Sequence, residues 1–170
     1  ELSHPDVGRK SIEAVWYTGR MMGKTVAQTI CDKPTKYNPG IWFNSAKFFD
    51  IEYQVYGNIP TNIPENITSL YWQHPSENKS IRINFEKSSG AVTGFNLLGI
   101  RYRQVVCEKW IRDKTHIETV IENLSLANFD PEFFDHYEGA FLEMYNQKSG
   151  KSLTLKSKRK LSMVTKFLFG

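Results

Sequence analysis

Hydrophobic positions along this chain change their period more than once, and each change marks an element. Residues 12–31 read as a helix entered from an extended Ile12-Glu-Ala-Val15 lead. Gly19 and Gly23 stand four apart, so they share one face and leave it nearly flat. Each glycine inside a helix costs about 1 kcal/mol, and such a pair signals the close approach of something rigid, a backbone or a flat ligand. Asp32-Lys-Pro34 ends the helix, because the residue before a proline is pushed out of helical geometry.

The period then drops to two. After a turn at Asn38-Pro-Gly40, Ile51, Tyr53 and Val55 alternate with Glu52, Gln54 and Tyr56, and Gly57 closes the strand. Residues 58–66, with Pro60 and Pro64, form a loop. Residues 69–73 predict a short strand closed by His74-Pro-Ser-Glu-Asn78. Residues 81–85 and 91–98 alternate on either side of Ser88-Ser-Gly90, the pattern of a β-hairpin. From residue 102 the spacing becomes helical again. Val105, Val106, Lys109 and Trp110 mark a helix over 102–113, and Ile117, Val120, Ile121 and Leu124 mark a second over 115–126. Thr115-His-Ile-Glu118 reads as a capping box for the second helix. A third is expected from Pro131 to about Gln147, with Asp130 as its cap and Pro131 at its first position. A sheet first and helices afterwards make an α+β domain, with an antiparallel sheet of three to five strands.

The composition suits that reading. A hydrophobic fraction of 40% with 14% aromatics supports a core, and no apolar run approaches the roughly 20 residues of a membrane helix. Cys31 and Cys107 are too few and too far apart for a Cys-x-x-Cys pair or a zinc site, and read as free thiols of a reducing cytoplasm. The net charge of +4 belongs to one end: residues 144–170 hold seven bases and no acid, which leaves −3 for the rest. A nucleic-acid surface is therefore not implied.

The stretch Tyr37-Asn-Pro-Gly-Ile-Trp-Phe-Asn-Ser-Ala-Lys-Phe-Phe-Asp-Ile-Glu-Tyr-Gln-Val-Tyr-Gly57 follows a small-residue helix. That order resembles the junction between the FAD domain and the C-terminal domain of FAD/NAD(P)-linked oxidoreductases of the ferredoxin reductase, coenzyme A-disulfide reductase and apoptosis-inducing factor types. The resemblance covers most of residues 12–145. It implies that residues 1–34 are a remnant of an FAD-binding domain, 35–147 a C-terminal interface or dimerisation domain, and 148–170 a basic, apolar tail. The N-terminus, without an initiator Met or a signal pattern, is expected to be an internal starting point.

In the ferredoxin-reductase relatives a Glu-x-Val-x segment opens the last helix of the FAD domain, its backbone amides near the pyrimidine edge of the flavin. Glu13-Ala-Val-Trp16 matches it, so the resemblance assigns Glu13, Val15 and Trp16 to the cofactor in an intact parent. Helix N-terminal amides carry partial positive charge and suit the anionic density of reduced flavin. The rival reading is an ordinary helix whose Trp16 and Tyr17 pack on the sheet. The family's aromatic-Ser motif resembles Trp42-Phe-Asn-Ser45, which implies Trp42 as a flavin cover. Relatives place a Trp directly before that Ser, where this chain has Asn44. Core aromatics under the sheet are the competing reading.

Other constellations read as structure. His74-Pro-Ser-Glu77 is similar to the His-Pro-Thr-x-x-Glu segment of glutathione-reductase-like enzymes, but its Glu is one residue too close and no dithiol is visible; it reads as a polar turn. Glu132, Asp135, Glu138, Glu143 and His136 read as a solvated helix face, without the Glu-x-x-His repeat of a metal site. The tail's Leu161, Met163, Val164, Phe167, Leu168 and Phe169 call for some apolar partner, an anionic membrane surface among them.

The expected function is that of the C-terminal domain of an FAD-dependent NAD(P)H oxidoreductase, forming flavin-pocket wall, dimer face or both. Taken alone the chain is expected to be catalytically silent and to hold no FAD. The alternative is a stand-alone α+β module, docking proteins or membranes through its tail. The two differ over one feature: the module buries the glycine face of the first helix within the chain, whereas the oxidoreductase part leaves it open.

Overall fold

The computed structural model of the protein describes residues 12–156. After the extended lead comes α1 (Trp16–Ile30), then β1 (Phe43–Phe48), β2 (Ile51–Gly57), β3 (Ile67–Gln73), β4 (Ser80–Glu86) and β5 (Val92–Leu98). The helices α2 (Gln104–Arg112), α3 (Ile117–Glu122) and α4 (Glu138–Ser149) follow, with a 3-10 turn at Leu124–Leu126. All five strands lie in one antiparallel sheet of order β1-β2-β5-β4-β3. The fold is α+β, as the change of period predicts. The strand whose alternation the sequence does not display is β1. It begins within the Trp42-Phe-Asn-Ser45 run and pairs with β2 from Phe43↔Tyr56 to Phe48↔Ile51.

The central strands β4 and β5 carry the core. Ile81, Ile83, Phe95 and Leu97 are fully buried with Val120, Ile121, Leu124 and Phe141 of the helical layer. Helix α2 lies over β2 and β5, α3 packs on α4, and α4 reaches β3. Phe95 meets Trp110 with ring centroids 6.0 Å apart, which fixes α2 on the sheet. The β4–β5 turn is stitched to α3: Val92 N–H donates to the Thr115 carbonyl at 3.0 Å, and Ile117 N–H donates to the Gly90 carbonyl at 2.8 Å. Gly90 sits at φ +69, and a Cβ there would fall 2.2 Å from the His116 ring.

Two helix starts differ from expectation. The cap of α3 is His116, whose Nδ1 accepts from Glu118 N–H at 3.3 Å; Thr115 is occupied in the bridge to β5. The third helix opens at Glu138, seven residues after Pro131. Asp130 lies at φ +44 and cannot act as an extended cap. The segment is pinned beside 101–102 instead, through the Tyr102–Asn128 bridge and a bond from Phe129 N–H to the Arg101 carbonyl at 3.1 Å. That tether turns the chain away before a helix can begin.

Candidate functional site

Helix α1 touches the sheet by its first turn. The Tyr17 ring lies 4.9 Å from Phe43, its hydroxyl lies 3.4 Å from Ser45 Oγ, and Thr18 is buried. At 100° per residue, Tyr17, Thr18, Met21 and Thr25 fall on the side that faces the body. Trp16, Gly19, Gly23, Val26 and Ile30 fall within a sector of about 80° on the other side. This outer stripe is open: Trp16 is 68% and Ile30 75% exposed, and a Cβ on Gly19 or Gly23 would meet nothing within 4 Å.

The residues assigned to the cofactor stand at the entrance to this helix. Glu13 and Val15 are half-buried in the extended lead, and Val15 occupies the N-cap position without a side-chain cap. The first turn holds no acid, so no carboxylate of the helix itself opposes the partial positive charge of the amides that open α1. Trp16 stands edge-on to Tyr17, centroids 5.3 Å apart, and carries the Arg20 guanidinium 5.4 Å over its ring. Trp42 is half-buried just before β1, its carbonyl accepting from Gly57 N–H at 2.7 Å.

A second group of residues escapes the sequence reading. The turn joining β1 to β2 and the loop 129–135 flank a cleft of about 490 Å3. Its lining includes Arg101, whose Nε donates to both Glu52 oxygens at 2.9 and 2.8 Å. Behind it Glu138 is 1% exposed and accepts from Asn128 Nδ2 at 3.1 Å. Asn128 Nδ2 also donates to His136 Nδ1 at 3.1 Å, and His136 Nε2 lies 3.0 Å from the Pro131 carbonyl. A neutral imidazole with its proton on Nε2 satisfies both contacts. Burial first, and the Glu138 carboxylate second, push the Tyr102 phenol well above its ordinary range. Burial alone raises the Cys107 thiol, so it is inert as a nucleophile. Glu138 is thus a buried polar anchor and not part of a solvated helix face. Glu132, Asp135 and Glu143 are exposed, and among the described residues no group of three His, Cys, Asp or Glu could hold a metal.

His74 forms the polar turn expected of it. Its Nδ1 accepts from Ser76 and Glu77 N–H at 3.3 and 3.1 Å, and its ring stands edge-on to Trp72 and Tyr137. Nearby, Lys79 bonds to Glu77 and to the Tyr137 hydroxyl, contacts that raise its pKa and lower that of Glu77. The first part of the basic tail lies on the body. Asn146 pairs through both amide atoms with the Leu153 backbone at 3.0 Å, Lys156 N–H donates to the Glu122 carbonyl at 2.8 Å, and Lys151 bonds to Glu118. The apolar end of the tail, with residues 1–11, lies outside the described residues. Among the described residues no helix is long and apolar enough to cross a membrane.

No protein-family model matches the chain, and no curated protein matches its sequence. Among solved structures it is similar to an NAD-dependent persulfide reductase from A. fulgidus, with a TM-score of 0.55 and 18% identity over 84% of this chain. The match takes up 30% of the reductase chain, so the protein spans about a third of that neighbour's length. At this identity the likeness shows a shared fold.

Proposed function

We propose that the chain is the C-terminal part of an FAD-dependent NAD(P)H oxidoreductase and walls one side of the flavin site. One observation carries the reading. The outer stripe of α1, Trp16, Gly19, Gly23, Val26 and Ile30, is apolar and smooth and, apart from the Arg20 guanidinium over Trp16, is uncovered among the described residues. Two glycines that meet nothing among the described residues destabilise a helix without return there, and a preceding domain laid on that face supplies the return. A stand-alone module predicts the opposite, a glycine face buried within the chain. The α+β fold shared with a solved NAD-dependent reductase supports the same reading.

The residues present suit a flavin. The N-terminal amides of α1 have no side-chain cap and no acid in the first turn and would hold the pyrimidine edge, with Glu13, Val15 and Trp16 along it. Trp42 would stand on the C-terminal-domain side of the ring. When bound, the flavin accepts hydride from NAD(P)H and passes electrons onward. The part of this chain is to orient the ring, exclude water and place positive dipole beside it.

The test is to purify the protein together with the segment that precedes Glu1 in its gene. The longer chain is expected to carry a flavin and oxidise NAD(P)H, and Trp16→Ala to shift its flavin absorbance. A preceding segment without a strand-Gly-x-Gly-x-x-Gly-helix unit, or a longer protein that folds free of flavin, contradicts the proposal.

A further inference from the structure

The cleft between the β1–β2 turn and the 129–135 loop is lined by Phe133 and Phe134 on the loop side and by Lys47 and Asp50 on the turn side. Phe49 is 98% exposed at φ +55, in the two-residue turn closed by the Phe48↔Ile51 pair. That backbone region suits glycine, and a bulky side chain held there in solvent is costly unless it has a use. Asp50, next to Phe49, lines the cleft from the turn, and Phe133 (81% exposed) and Phe134 line it from the loop. Isolated exposed apolar residues are ordinary, but Phe133 and Phe134 side by side in one cleft, with Phe49 next to its lining residue Asp50, mark an interaction surface.

The electrostatics of the lip narrow its occupant. Phe129-Asp-Pro-Glu-Phe-Phe-Asp135 holds three acids and no base. Lys79 is answered by Glu77 and Asp135, and Arg101 by Glu52. Asp50, Asp130 and Glu132 then outnumber Lys47, so an anionic lipid surface would be repelled. The complementary peptide is basic and apolar, without acids. Residues 157–170 have that composition: Lys158, Arg159, Lys160 and Lys166 are interleaved with Leu161, Met163, Val164, Phe167, Leu168 and Phe169.

Reach permits the contact. The described chain ends with Lys156 bonded to Glu122 through backbone and side chain. Asn128, in the cleft wall, follows Glu122 by six residues and lies at most about 22 Å away even if they are fully extended. The fourteen residues beyond Lys156 can span up to about 46–50 Å. We infer that residues 157–170 dock in cis onto this aromatic, acidic lip, their apolar side chains against Phe49 and Phe133 and their bases beside Asp50, Asp130 and Glu132. The inference is independent of the oxidoreductase reading.

The test is site-specific photocrosslinking in the whole 170-residue chain. A benzophenone amino acid replaces Phe133, or in a control Tyr71, which is exposed on β3 and does not line the cleft. Photolysis at Phe133 is expected to give monomeric adducts that mass spectrometry maps to residues 157–170. These adducts should be weak at Tyr71 and lost in a Lys158→Glu, Arg159→Glu, Lys160→Glu variant. Adducts to a second copy, lipid adducts in place of tail adducts when anionic vesicles are present, equal tail adducts at both positions, or no tail adduct at Phe133 would each overturn it.

Discussion

Glycines in the two halves of this molecule play opposite parts. In the β2–β5 half Gly94 lies beneath the crossing chain at Asn58, and an added Cβ would sit 2.5 Å from the Asn58 carbonyl oxygen. Gly57, at φ +70, would place one 2.3 Å from the Thr93 carbonyl oxygen. In α1, Gly19 and Gly23 face open space. The first pair is explained by contacts within the chain, and the second pair is not. The sheet and its three C-terminal helices form a finished core, whereas the stripe of α1 meets nothing among the described residues at Gly19 and Gly23, as the proposed domain contact requires.

That contrast can be broken by mutation, beginning in the core. Phe95→Ala and Phe141→Ala, at fully buried positions, should each lose about 3–5 kcal/mol of stability. Ile30→Ala, on the open stripe, should change it by less than about 0.5 kcal/mol. Denaturant unfolding followed by Trp fluorescence separates these outcomes, and a large loss at Ile30 would place α1 inside the core. Gly94→Ala should cost about 1–3 kcal/mol, as overpacking does.

The strap after α4 tests a middle range. Asn146→Ala removes both bonds to Leu153 and should cost about 1–2 kcal/mol, with faster proteolysis at 151–156. Glu118 sharpens the point with pH. Its hydrogen bond from Lys151 lowers its pKa. The contribution is therefore present above the ordinary glutamate range and fades as pH falls through the lowered value. Acid titration of the melting temperature should show this loss in the native chain and not in Glu118→Gln. At the small end, Gly23→Ala should stabilise the chain by roughly 0.5–1 kcal/mol, opposite in sign to Gly94→Ala. In a longer protein that covers the stripe the sign should reverse.

Much of this architecture is legible in the residues. The alternation at 51–56, 81–85 and 91–98 marks three of the five strands, because one face of each packs against helices, and the short run at 69–73 marks a fourth, β3. Strand β1 hides its period, since its inward Phe43 and Ser45 are mixed with an exposed aromatic Phe48. The start of the last helix is not legible in the sequence. Asp130-Pro131 has the residues of a helix start, but the tether to Arg101 and Tyr102, far away in sequence, holds 129–137 in turns. Starting the helix too early places Glu138 on its outer face. Starting it at Glu138 brings that carboxylate to Asn128, a contact no local pattern announces. At the N-terminal end, Glu13-Ala-Val-Trp16 marks the entrance to α1, whereas the acidic lip with Phe133 and Phe134 is built from loops distant in sequence and has no local pattern.

The central claim is that the outer stripe of α1 is half of a domain contact. Hydrogen exchange tests it most directly, on the 170-residue chain and on the same chain extended by the preceding segment of its gene. The account predicts fast exchange of the α1 amides beyond the first turn in the short chain, beside slow exchange in β4 and β5, and strong protection of α1 in the long one. Equal, core-like protection of α1 in both would contradict it.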